Sequence, residues 1–129
     1  MSASPSTRIE HWINGRSTPG TGERRGEVYN PATGATTGHV AFAADSDVDA
    51  AIDAAAQAFP AWSATPAHVR ARVMFRFRDL LEANRDRLSE IIVAEHGKVF
   101  NDAQGEVTRG MEVVEFACGI SQLLKGEYS

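Results

Sequence analysis

The chain reads as an α+β protein, with a β-hairpin and strand region over residues 9–44 followed by three helices over residues 46–125. Three observations predict this. Trp12-Ile13 runs into Asn14-Gly15, the strongest short-range hairpin signal, because a type I′ turn needs positive φ at both central positions. From Val48 onward, apolar residues recur at three- and four-residue spacing, the period of a helix face. Proline and glycine punctuate the helical stretch at Pro60, Pro66, Gly97 and Gly126.

In order, Arg16-Ser17-Thr18 is the return arm of the hairpin, and Pro19-Gly20-Thr21-Gly22 breaks the pattern. That glycine-rich loop, with Arg24-Arg25 beside it, lacks both P-loop spacing and the GxGxxG order, so it reads as a surface loop. Glu27-Val28-Tyr29 is a short strand, Asn30-Pro31-Ala32-Thr33-Gly34 a turn, and Thr37 to Ala43 a returning strand. Helix one starts at Ser46, with Ser46 and Asp49 as a capping-box pair and Asp47 and Asp49 suited to the positive helix end; Val48, Ile52, Ala55 and Phe59 repeat at helical spacing until Pro60 ends the regular pattern.

Helix two takes Thr65 as N-cap, Pro66 as its first residue and Gly97 as a left-handed cap. Val69, Val73, Phe77, Leu80, Leu81, Leu88, Ile91 and Ile92 lie on one face over about eight turns, which makes it the longest element. Its arginines, from Arg70 to Arg87, sit among Asp79, Glu82, Asp86 and Glu90 and read as a solvated, ion-paired face. Helix three has Asn101 or Asp102 as its cap, with Gln104 completing a box with Asn101, and runs to about Lys125. Val107, Met111, Val114 and Cys118 lie on one side of it, and Val113, Ala117, Ile120 and Leu124 on another. A helix apolar on several sides is buried on several sides, and two neighbouring helices cannot cover all of it.

At 129 residues, 43% hydrophobic and 23% charged, the chain is sized for one globular domain. Its net charge of −4 and the absence of a long basic run argue against nucleic acid as a partner. No stretch approaches the ~18 apolar residues of a membrane span. Residues 1–8 lack the apolar core of a signal peptide and read as a disordered start. The lone cysteine, Cys118, cannot form an internal disulfide, which points to a reducing compartment and hence the cytoplasm.

The four histidines are scattered with no i,i+4 pair, so no metal site is expected. Cys118 sits in an apolar helical run and reads as a packing residue rather than a nucleophile. No glycine fingerprint for a dinucleotide is present, so no catalytic or cofactor-binding residue is assigned. Arg109 stands apart. Glu106 and Glu112 lie three residues either side, which is consistent with an exposed ion-pair ladder. Gly105 and Gly110 flank it inside a helix, where each glycine costs about 1 kcal/mol relative to alanine. Glycine in such a place permits close approach of a backbone or ligand, and a guanidinium there could grip a carboxylate with two hydrogen bonds. Both readings stand at this point.

Four segments, in this order, resemble aldehyde dehydrogenases: Trp12-Ile13-Asn14-Gly15, Asn30-Pro31-Ala32-Thr33-Gly34, Ala58-Phe59-Pro60-Ala61-Trp62-Ser63 and Glu95-His96-Gly97-Lys98. The stretch from Gly105 to Gly119 more narrowly resembles the CoA-acylating methylmalonate-semialdehyde dehydrogenase branch. The resemblance covers the chain from about Ile9 onward. It implies that residues 9–129 are the N-terminal segment of an α/β fold with an NAD domain, a catalytic domain and an oligomerisation arm. It implies conversion of methylmalonate or malonate semialdehyde to propionyl-CoA or acetyl-CoA, with NAD reduced and CO₂ released. In this branch an arginine matching Arg109 is implicated in recognising the substrate carboxylate.

The family's nucleophilic cysteine, oxyanion-hole asparagine and NAD-binding residues have no counterpart here, and Cys118 does not match the nucleophile motif. The expectation is therefore that the catalytic domain and most of the NAD domain are absent. The chain alone is then inactive and binds neither NAD nor CoA tightly. A truncated gene, a fragment and one half of a split enzyme all remain open as origins. Expected partners are the remainder of the dehydrogenase or further copies of the chain, with a homo-oligomer in the complete enzyme. The alternative from a different class is a non-catalytic helical interaction module that binds a protein partner through its third helix.

Overall fold

A computed structural model describes residues 7–127. The chain divides into two compact units, Met1–Trp62 and Ser63–Ser129. Five strands come first: β1 (Thr7–Ile9), β2 (His11–Ile13), β3 (Arg16–Thr18), β4 (Arg25–Tyr29) and β5 (Thr36–Ala41). Five helices follow: α1 (Asp45–Ala64), α2 (Ala67–Ala83), α3 (Arg85–His96), α4 (Phe100–Cys118) and α5 (Ile120–Leu123). The expected order of strands then helices is what the chain adopts.

In the first unit, β2 and β3 form the hairpin, with Ile13 opposite Arg16. Asn14 (φ 52°) and Gly15 (φ 72°) take the positive φ that a type I′ turn demands. A separate sheet has the order β1-β5-β4, with β4 antiparallel and β1 parallel to the central β5. The turn between β4 and β5 is held by Asn30, whose Oδ1 accepts from the Ala32 and Thr33 N–H groups at 2.9 and 3.2 Å. The expected disordered start is corrected at Thr7 and Arg8, which pair with Gly38 and His39 and so satisfy the second edge of β5. The rest of that segment, residues 1–6, lies outside the described residues. Gly38 makes this pairing possible, because a Cβ there would sit 2.6 Å from the Thr7 carbonyl oxygen.

Two expectations for α1 are corrected. The Ser46–Asp49 box does not form. Asp47 supplies the acidic half of a cap instead, its Oδ2 accepting from the Ala44 N–H at 2.9 Å. The helix also continues through Pro60 to Ala64. Proline removes one donor and crowds the carbonyl four residues back. That residue, Ala56, is exposed, so water can serve its carbonyl. The stop comes at Thr65, which the following Pro66 disfavours from helical backbone.

The second unit is helical throughout its regular structure. The single long helix expected from Pro66 to His96 is two helices, and α1, at 20 residues, is longer than either. Asn84 (φ −114°, ψ 16°) makes the break. Its side-chain N–H donates to the Leu80 carbonyl at 2.8 Å, while its own carbonyl accepts from Leu88 N–H at 2.9 Å, so one residue closes α2 and opens α3. Pro66, not Thr65, occupies the N-cap position of α2. Gly97 is the left-handed cap of α3 as expected (φ 81°). The cap of α4 is the Val99 backbone, with Asn101 and Asp102 already inside the helix, and α4 stops at Gly119 rather than near Lys125.

α4 packs against both α2 and α3. Ala103, Val107, Met111 and Cys118 are its buried face. Ala71 on α2 and the fully buried Ser89 on α3 complete the core, and the Ser89 hydroxyl is satisfied by the Arg85 carbonyl at 2.8 Å. The arginine-rich face is not a ladder of pairs along one helix. Arg78 reaches Glu115 of α4 at 2.9 Å, and Arg85 donates to the Thr108 hydroxyl at 2.6 Å. Among the described residues, no helix is long and apolar enough to cross a membrane.

Candidate functional site

Arg109 is exposed on α4, one residue before Gly110. Helical side chains sweep toward the N-terminus, over the residues three and four positions back. Arg109 does so, with its Nη1 3.9 Å from where a Cβ on Gly105 would stand. Gly105 is thus a bare floor beneath the guanidinium. A Cβ on Gly110 would meet no atom within 4 Å. Among the described residues, no backbone from outside the helix comes within 4 Å of either Cβ position, so the space both leave is open. The ladder suggested by Glu106 and Glu112 does not form: among the described residues Arg109 makes no ion pair. Glu106 is held instead by Lys98, whose ammonium donates to its Oε1. That hydrogen bond keeps the Glu106 carboxyl below the ordinary range, helped by the charges of Lys98, His96 and Arg109 and opposed by desolvation.

Gly110 also lines an apolar cleft of about 410 Å³ between α2, α3 and α4, with Phe77, Leu81, Ile92, Val107 and Met111. The neighbouring side of α4 is bare, with Val113 68% and Phe116 67% exposed. The sequence-based expectation that two helices would leave part of this helix uncovered is met at Val113, and Phe116, which that reading placed on neither side, is bare beside it. Cys118 is buried and free on the covered side. No group of three or more potential ligands that could hold a metal occurs among the described residues.

The glycine-rich loop of the first unit has a different tenant. A loop running to a helix N-terminus is a ready anion site. Here the anion is Asp47. Its carboxylate accepts from the Ala44 N–H, from the Thr21 N–H at 3.0 Å and from the Thr21 hydroxyl at 3.0 Å. Those backbone hydrogen bonds hold its carboxyl below the usual Asp range, with the Thr21 hydroxyl and the nearby His11 adding to them and burial opposing. A Cβ on Gly22 would lie 2.3 Å from the Phe42 carbonyl oxygen, so the loop is closed against the chain. These residues do not fit the pyrophosphate of NAD or of CoA.

Sequence reasoning singled out Arg109 and Asp47, the latter as an acid at a positive helix end without its loop partners, and missed the Lys98–Glu106 pair. The Lys98–Glu106 pair had a signal in Glu95-His96-Gly97-Lys98, where a left-handed glycine turns the chain back toward the next helix. Asp47 had one in its place three residues after Ala44, at the third position of a helix.

The aldehyde dehydrogenase family pattern matches residues 18–129. Malonate-semialdehyde dehydrogenase of Pseudomonas aeruginosa is 48% identical over 121 residues, 94% of this chain and 24% of that protein. The acylating, mitochondrial methylmalonate-semialdehyde dehydrogenase of Arabidopsis thaliana is 44% identical over 102 residues, 79% of this chain and 17% of that protein. A Sinorhizobium meliloti protein described as a methylmalonate-semialdehyde dehydrogenase, solved in complex with NAD, matches with a TM-score of 0.93 at 42% identity, covering 98% of this chain and 26% of that one. The chain spans about a quarter of the length of the first and third of these relatives. By the extent of the family match and the agreement in fold, the chain belongs to the aldehyde dehydrogenase family.

Proposed function

We propose that the chain is the N-terminal part of an NAD-dependent, CoA-acylating methylmalonate- or malonate-semialdehyde dehydrogenase, and that Arg109 is its substrate-carboxylate ligand. The observation that carries this reading is the 48% identity to a malonate-semialdehyde dehydrogenase across 94% of the chain. The complete enzyme converts the semialdehyde to propionyl-CoA or acetyl-CoA, with NAD reduced and CO₂ released. The part played by these residues is binding. Arg109, exposed above a bare glycine floor and without an ion pair among the described residues, presents two N–H groups to the substrate's acid end. The catalytic domain and most of the NAD domain lie outside residues 9–129 in this reading. The chain alone is therefore inactive and holds NAD and CoA weakly. Its setting is the cytoplasm, and its partners are the remaining domains, within a homo-oligomer.

The test places Arg109→Lys and Arg109→Gln in the complete enzyme and compares methylmalonate semialdehyde with uncharged propanal. Losing the two-pronged contact should cost about 2–5 kcal/mol of transition-state stabilisation on the charged substrate alone. Lysine keeps the charge but not the fork, so it should be impaired as well. Equal loss on both substrates, with a lower melting temperature, would assign Arg109 to packing. The bare Val113 and Phe116 favour a second reading, a non-catalytic module that binds a protein partner. It predicts a defined complex and no dehydrogenase activity on mixing with the remaining domains.

A further inference from the structure

We propose that Lys98 is a positioning residue: by holding Glu106 it keeps the Arg109 guanidinium unpaired with the neighbouring acid of its own helix and open to a substrate carboxylate. This deepens the reading of Arg109 given above and rests on it. Glu106 and Arg109 are three residues apart on α4, the spacing at which acid and guanidinium pair along a helix. The Arg109 side chain already sweeps back over Gly105, toward that carboxylate. An arginine neutralised in this way would have to break the pair before gripping a substrate.

Lys98 intervenes from the turn before α4. Gly97, at φ 81°, ends α3 and redirects the chain. Lys98 then reaches forward to Glu106 with its side chain only 18% exposed, against 39% for Glu106. A partly dry ammonium–carboxylate contact outcompetes a solvated one along the helix surface. Arg109 consequently makes no ion pair among the described residues while lying near enough for its charge to act on Glu106. The Glu95-His96-Gly97-Lys98 segment thus acquires a local task, to deliver a cation that relieves Arg109 of its own acid.

The exchange can be read in the 129-residue chain by an NMR titration of the Glu106 carboxyl. The charged groups facing it are Lys98, His96 and Arg109. In the unsubstituted chain it should titrate below an ordinary glutamate. Lys98→Met should raise it part of the way, because Arg109 takes over the carboxylate. Adding Arg109→Gln to that variant should raise it further, and Lys98→Arg should leave it near its starting value. If the single and double variants titrate together, or if Lys98→Met changes nothing, the proposal is overturned.

In the complete enzyme, Lys98→Met should raise KM for methylmalonate semialdehyde about twofold, the worth of a helical ion pair, with kcat and propanal kinetics unchanged. Lys98→Arg should restore it. Equal changes on both substrates would overturn the positioning role. An Arg109→Gln enzyme that still favours the charged substrate as before, beside the expected titration pattern, would overturn the carboxylate role of Arg109 in particular.

Discussion

Replacing Gly110 with alanine separates what this helix needs for folding from what it leaves open for something else. Glycine inside a helix costs about 1 kcal/mol relative to alanine, through the backbone entropy lost on folding. Gly110 is in the interior of α4 and is not among the glycines with positive φ, so alanine can adopt its backbone. A Cβ there would meet no atom within 4 Å, so no clash offsets the gain. The isolated chain should therefore be stabilised by about 0.4–1 kcal/mol. For a unit of this size that is a rise in Tm of about 2–8 °C. Urea unfolding followed by helical circular dichroism should show a higher midpoint at unchanged slope. In the complete enzyme the same methyl group occupies the rim of the apolar cleft, and kcat/KM should fall. A chain that is destabilised or unaffected would refute the reasoning, because the glycine would then serve local packing. A stabilised chain with full activity in the complete enzyme would show that the open space receives nothing.

Gly22→Ala should have the opposite sign, losing about 1–3 kcal/mol in denaturant unfolding, because both atoms nearest its Cβ, the Phe42 oxygen at 2.3 Å and the Ala44 nitrogen at 3.3 Å, are backbone. Met111→Ala, in the buried face of α4, should cost about 2–5 kcal/mol by the same measurement. Asp47 has a depressed folded value, so its contribution is complete above the ordinary 3.8 and is lost as pH falls through that folded value. Asp47→Asn should therefore flatten this part of the acid limb of Tm against pH. The exposed Val113 and Phe116 predict concentration-dependent self-association of the chain in sedimentation velocity, and Phe116→Ser should reduce it.

The strand region was readable because its turns depend on single residues with few alternatives. Asn14-Gly15 and Asn30 to Gly34 state their φ requirements in the residues themselves. Gly97 was readable for the same reason. The helix boundaries were not, because several residues could serve at each. Periodicity runs smoothly across Asn84, and only the competing hydrogen bond of its side chain to the Leu80 carbonyl reveals two helices. Pro60 reads as a stop from its local cost alone, and the exposed setting that absorbs that cost is not written in the neighbouring residues. At the candidate site, the flanking glycines made Arg109 conspicuous. The contact between Lys98 and Glu106 across a turn depends on how α3 and α4 pack, which no local pattern encodes.

The carboxylate of Asp47 at the start of α1 also bears on how the first unit responds to its surroundings. A helix end that waits for phosphate gains stability in proportion to the logarithm of phosphate concentration, since ligand binding is linked to folding by mass action. Here the counter-ion is covalently part of the chain, and its carboxylate already accepts from three donors at 2.9–3.0 Å. The loop from Gly20 to Gly22 therefore needs no outside anion to complete its hydrogen bonds to the helix end, and added phosphate should leave the stability of this unit unchanged.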